Sequence, residues 1–219
     1  MFSFGGGGGG SASSNEDTAL VHAMLVMGLQ DGVRRVVQAA ISKRQRRIQG
    51  EIDLDEELLD NSTEVKALLD ILELILWHGL RTQSRRKKQT RPRQNSTSSP
   101  DTYHFWEFVL LLERVDPSAF GGTIMLVRAN SHCATRVGLC RAWIRMLLNQ
   151  NALEFTIRAL CRLAASSGSD YYEDWGFLRW STETNRTLFF SLLGLLNNVG
   201  FMLKVAGEHL DRPPPEGPA

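Results

Sequence analysis

The sequence predicts an all-α fold, one helical domain with flexible tails, and three observations lead there. First, residues 136–165 place Leu139, Ala142, Trp143, Met146 and Leu147, then Leu153, Ile157, Leu160 and Cys161, at helical spacing, each set forming an apolar stripe on one face. Second, Asn149, Gln150 and Asn151 break that pattern. Asn151 followed three residues later by Glu154 reads as a helix cap, so the stretch is expected to form two antiparallel helices joined by a tight polar turn. Third, 219 residues with 42% hydrophobic content suffice for one substantial core.

Residues 1–16, rich in Gly and Ser, cannot bury enough surface to offset their ordering entropy and are expected to be a flexible tail ahead of a domain over 17–212. Six consecutive glycines are not a phosphate loop, because no Lys-Ser/Thr pair follows them and no strand precedes them. A long helix is expected from Glu16 to about Arg47, with Gly28 and Gly32 as candidate bend points and a basic C-terminal end that suits the helix dipole. An acidic connector over 51–60 follows.

Asn61 with Glu64 suggests a capped start for the next helix, whose inward stripe is Val65, Leu68, Leu69, Leu72, Ile75 and Leu76. Ile71, Leu74 and Trp77 cover much of its other side, which places it in the middle of a bundle. Gly79 supplies a left-handed stop, and His78, with no second ligand at usable spacing, is read as structural.

Residues 82–102 contain no apolar residue and form an expected disordered insertion made basic by Arg85, Arg86, Lys87, Lys88, Arg91 and Arg93. Three readings stay open for it: a solvated insertion, a contact for anionic lipid or an acidic partner, and a nuclear-import or nucleic-acid patch. No aromatic residue interleaves the cations, which argues against base stacking. A helix over 103–114 should end at Asp116-Pro117. The apolar stretch over 120–129 has no clear type. The aromatic block over 171–180 is expected to pack a short helix onto the bundle, and the last helix is expected to run through Leu203. Residues 213–219 form a Pro-rich tail.

Composition excludes more than it assigns. The formal charge of +1 provides no global attraction to nucleic acid or membranes. Cys133, Cys140 and Cys161 are an odd count without a CxxC pair and read as small buried thiols in a reducing, cytoplasmic setting. No metalloprotease, nucleophile-elbow or dinucleotide motif is present, so neither catalytic residues, metal ligands nor cofactors are assigned.

Several segments, in order, resemble the RUN domain family: Leu68 to Leu80 (LLDILELILWHGL), Phe105-Trp106-Glu107-Phe108, Gly138 to Leu148 (GLCRAWIRMLL), Tyr171 to Leu178 (YYEDWGFL) and the closing Leu195 to Asp211. The resemblance implies a bundle of about eight helices without catalytic activity. It also implies a partner: a GTP-loaded Rab-, Rap- or Arf-like small GTPase, or a motor or scaffold protein, in vesicle and endolysosomal traffic, with peripheral placement on those membranes. Arginine is favoured in interfaces, so Arg136, Arg145, Arg158 and Arg162 are candidate contacts. Arg141, inside the matched stretch, is a further candidate that could instead hold a buried acidic partner.

Overall fold

The structure, a computed structural model, describes residues 12–49, 62–81, 105–167, 170–179 and 182–211. Its elements are α1 (Ala12–Ile48), α2 (Thr63–Trp77), α3 (Phe105–Val115), α4 (Pro117–Arg128), α5 (Arg136–Asn149), α6 (Leu153–Ser167), α7 (Glu183–Leu196) and a terminal 3-10 helix (Glu208–Asp211). An all-α domain of nearly eight helices is therefore what forms. The basic residues Arg85 to Arg93 and the 213–219 tail lie outside the described residues.

Helix α1 begins at Ala12, ahead of the expected Glu16, and runs unbroken past both glycines. Gly28 and Gly32 do not interrupt it; they let α2 approach. A methyl group on Gly28 would press on the Ile71 side chain, and Gly32 faces Leu68 and Ile71. Helix α2 is capped by Ser62, one residue after the expected Asn61, its hydroxyl accepting from the Val65 amide and donating to Glu64. Asp116 ends α3 and also caps α4, accepting from the Ala119 amide, with Pro117 in the first turn where its missing N–H costs nothing. The stretch of unclear type is thus a helix.

Trp143, Phe105, Phe108, Leu72 and Ile157 are all fully buried in one core that all seven helices share. Trp143 meets Phe105 edge-on, with ring centroids 6.0 Å apart.

Two boundaries differ from the sequence expectation. Asn151 does not cap α6. It has φ 54°, and the Asn151 amide bonds Leu148 O at 3.1 Å while the Ala152 amide bonds Leu147 O at 2.9 Å. That pair of bonds around a left-handed residue is a Schellman stop for α5, and the α5–α6 hairpin turns on it. Asn151→Val should accordingly lower stability by about 1–2 kcal/mol because a branched Cβ resists positive φ, whereas Asn151→Gly should be neutral or slightly stabilising. Urea midpoints of the two variants check this.

Helix α7 stops at Leu196, not Leu203. Asn197, Asn198 and Gly200 favour turns over helix. The following chain is drawn out along α5, where the Asn149 side chain donates to Leu203 O and accepts from Leu203 N, both at 2.9 Å, and Asn130 donates to Val205 O at 2.6 Å. No helix among the described residues is long and apolar enough to cross a membrane.

Candidate functional site

The expected arginine contacts fall into separate environments. Arg141 is buried: its Nε and Nη2 donate to the two oxygens of Glu73 at 2.8 and 2.7 Å, and Nη1 donates to Leu210 O at 3.0 Å. Only 12% of its side chain is exposed, and 8% of that of Glu73. Such a bidentate guanidinium–carboxylate pair is strong and directional, so Arg141 clamps α2, α5 and the terminal 3-10 helix together, the buried acidic pairing that was the alternative to a partner contact.

The clamp continues through the C-terminal turn. Asp211 accepts from the Ala134 and Thr135 amides at 2.9 and 3.0 Å and from the Thr135 hydroxyl at 2.6 Å, and Thr135 caps α5 through the Gly138 amide. Burial pushes the Asp211 carboxyl up, yet those hydrogen bonds and the charge of Arg141 hold it below its ordinary value. Glycine is required at 138 because a Cβ there would overlap the Asp211 carboxylate.

Arg136 is half-exposed and pairs with Glu107 of α3 at 2.8 Å. Arg145 donates back to Arg141 O at 3.4 Å. Arg158 is held by Glu154 on its own helix, at 2.8 and 2.5 Å, and its guanidinium lies 4.1 Å over the Phe190 ring, where it lines a cavity of about 240 Å³ with Glu183, Arg186, Thr187 and Ser191. Among the described residues Arg162 is exposed and has no carboxylate partner. The candidates other than Arg162 are thus committed to different partners, with only Arg141 and Arg145 joined by a hydrogen bond among the described residues.

Exposed apolar side chains occur on α4 and α6. On α4, Met125 and Leu126 are 63% and 53% exposed; on α6, Phe155 is 59% exposed and stacks on Phe120 with centroids 5.6 Å apart. Thr123 donates to Gln150 at 3.1 Å, tying α4 to the α5–α6 turn. Arg162 follows Phe155 by two helical turns on the same side of α6. Neither Met125, Leu126 nor Phe155 could be told from core residues by spacing alone.

A third cluster joins α1, α2 and the aromatic block. Over its described residues, 171–179, the block forms turns, not the expected helix. Gly79, at φ 81°, packs backbone to backbone against Gly176, the Tyr172 hydroxyl donates to Leu76 O at 2.5 Å, and the Glu173 amide donates to Gly79 O at 2.8 Å. Fully buried His22 contacts Trp175 O at 3.0 Å, and its ring meets those of His78 and Phe177 edge-on at 5.0 and 5.1 Å. His78 does have a histidine neighbour, one that local spacing concealed because it comes from α1. Two histidines alone do not make a metal centre, and no group of three metal-binding side chains occurs among the described residues.

Burial, aided by the nearby His22, lowers the His78 pKa to about 4. An unfolded chain binds that proton near pH 6.5, so His78 contributes full stability above 6.5 and loses it progressively as the pH falls toward 4. Denaturation midpoints at pH 7.5 and pH 5 should therefore converge in His78→Asn relative to wild type.

Burial also raises all three thiols, Cys161 to about 12 and Cys140 well above its ordinary value, so none is a thiolate at neutral pH.

The family model described as RUN domain matches residues 67–207. It takes in the Glu73–Arg141 clamp, the Gly79–Gly176 junction and helices α3 to α7, and leaves α1 outside. With more than half of the chain matched, the protein belongs to the RUN domain family, a family of helical interaction modules linked to small GTPases and membrane traffic.

Proposed function

We propose that this chain is a non-catalytic effector or adaptor that docks a GTP-loaded Rab-, Rap- or Arf-like small GTPase at the face formed by α4 and α6. The supporting observation is the composition of that face. Met125 and Leu126 on α4 and Phe155 on α6 are exposed apolar side chains, the two helices meet through the Phe120–Phe155 stack, and Arg162, two turns beyond Phe155 on the same side of α6, has no carboxylate partner among the described residues. Interface cores are enriched in Met, aromatic residues and Arg and depleted of other charges.

The mechanism is selection between two states of the partner. A GTPase orders its switch loops around the terminal phosphate, so a surface that fits only the ordered loops gains affinity only in that state. The face suits this because it is braced: Phe155 is stacked on Phe120, and the neighbouring α5–α6 turn is held by the Asn151 stop and the Thr123–Gln150 bond. Such an interface is expected to be transient, at or below about 1,600 Å². Arg136 and Arg145 lie on α5, and their engagement would extend the contact.

Pull-down across a panel of small GTPases loaded with GTP or GDP tests this reading. One family member should be retained in its GTP state and released on GDP loading. Phe155→Ala and Arg162→Glu should each weaken that retention by about tenfold or more, equivalent to 1.4 kcal/mol or above, without shifting the thermal midpoint. Equal retention of both nucleotide states across the panel would overturn the proposal.

A further inference from the structure

The N-terminal half of α1 has two apolar faces, and the fold uses one. His22, Val26, Leu29 and Val33 point into the core. On the opposite side Leu20, Met24 and Met27 are 61%, 63% and 66% exposed. Their spacing of four and then three stacks them in a single stripe, the pattern of a helix that meets another helix. A Leu-Met-Met stripe in water is unfavourable unless something covers it at times.

Charge identifies the cover. On the same outer face, exposed Glu16 and Asp17 precede the midpoint between Met24 and Met27 by as many residues as exposed Arg34 and Arg35 follow it, about 14 Å of helix on each side. Asp31 pairs with both arginines at 2.5 Å, which leaves that end with one net positive charge against two negative charges at the other. A partner complementary to this face needs an apolar centre, a basic end and an acidic end in reverse order. The face itself, turned through a two-fold axis, has that layout.

We propose that α1 pairs with α1 of a second copy, antiparallel, about a two-fold axis near Met24 and Met27. Each Glu16–Asp17 pair then faces the partner copy's Arg34–Arg35 pair, whereas a parallel pairing would set like charges against each other. The interface is isologous and closes as a dimer. A contact a few turns long buries less than the roughly 800 Å² per partner of a standard interface, so the dimer is expected to dissociate on the order of tens of micromolar. It leaves α4 and α6 uninvolved, and a dimer would present two GTPase-docking faces.

Sedimentation equilibrium of the full chain, from about 1 to 300 µM, reads the association directly. Wild type should show a monomer–dimer equilibrium, and Met24→Glu, which sets two carboxylates at the axis, should weaken it at least tenfold. Because Met24 is exposed, the helical circular dichroism and thermal midpoint of that variant should match wild type, and its GTPase retention should be unchanged.

Orientation is tested by mixing. Glu16→Arg with Asp17→Arg in one chain, and Arg34→Glu with Arg35→Glu in another, should each abolish self-association, and the two chains mixed should associate. A wild type monomeric across the range, a Met24→Glu variant that dimerises like wild type, or a mixture no more associated than its components would each overturn the proposal. Loss of binding to vesicles or to another protein on Met24→Glu, with wild type monomeric, would assign the stripe to that partner instead.

Discussion

Glu73→Ala is expected to destabilise the protein by about 3–5 kcal/mol, because it removes the carboxylate that neutralises the buried Arg141 guanidinium and accepts from its Nε and Nη2. Total stability for a domain of this kind is about 5–15 kcal/mol, so the variant loses a large fraction of it. Removing the pair together is expected to be far milder. Glu73→Leu combined with Arg141→Met replaces two desolvated charges by apolar groups of similar volume, and such exchanges are neutral or stabilising by about 1–4 kcal/mol in other buried pairs. Urea denaturation of the two single variants and the double variant gives the coupling. The double variant also separates two roles for Arg141: retained GTPase binding would assign it to the scaffold, and lost binding in a stable double variant would make it a contact after all.

Trp143→Ala should cost about 3–5 kcal/mol by a different route, the cavity left when the indole is removed from among helices that cannot fully collapse onto it. Phe105, edge-on to the indole, and the surrounding aliphatic residues lose contact surface at the same time. Partner binding should disappear only to the extent that the domain unfolds. Measuring retention at 10 °C and near the variant's own midpoint distinguishes this from a surface effect, since a contact residue would lose binding at both temperatures. Trp143→Phe, which preserves most of the ring, should fall between wild type and the alanine variant.

The two variants act through one arrangement. Trp143 and Arg141 lie two residues apart within one turn of α5 and so point to different sides, one filling the core and the other reaching across to α2, so α5 is fixed both by packing and by direction. A Lys at 141 would keep the charge but lose the two-pronged geometry that sets the helix rotation.

Which parts were legible in the chain follows the range of the forces involved. The stripes of α2, α5 and α6 were readable because a 3.6-residue period repeats within a dozen residues, and the Gly79 stop because its conformation is local. Asn151 and Leu196 were misplaced because Asn suits both a helix start and a left-handed stop, and bonds from Asn149 and Asn130 favoured extension after Leu196. Glu73 and His22 each carried a usable signal, a polar residue inside an apolar stripe. Their partners lie 68 and 153 residues away.

By itself the sequence determined that this chain is helical and where its core faces lie, since periodicity and turn chemistry are properties of neighbouring residues. Only the tertiary structure decided which arginines are occupied and which apolar side chains remain outside. Both depend on what arrives from distant segments: Glu73 reaches Arg141 from another helix and removes it from the surface, while nothing among the described residues covers Met24 or Phe155. Burial is settled by the whole fold, and function on this protein's surface is what burial leaves over.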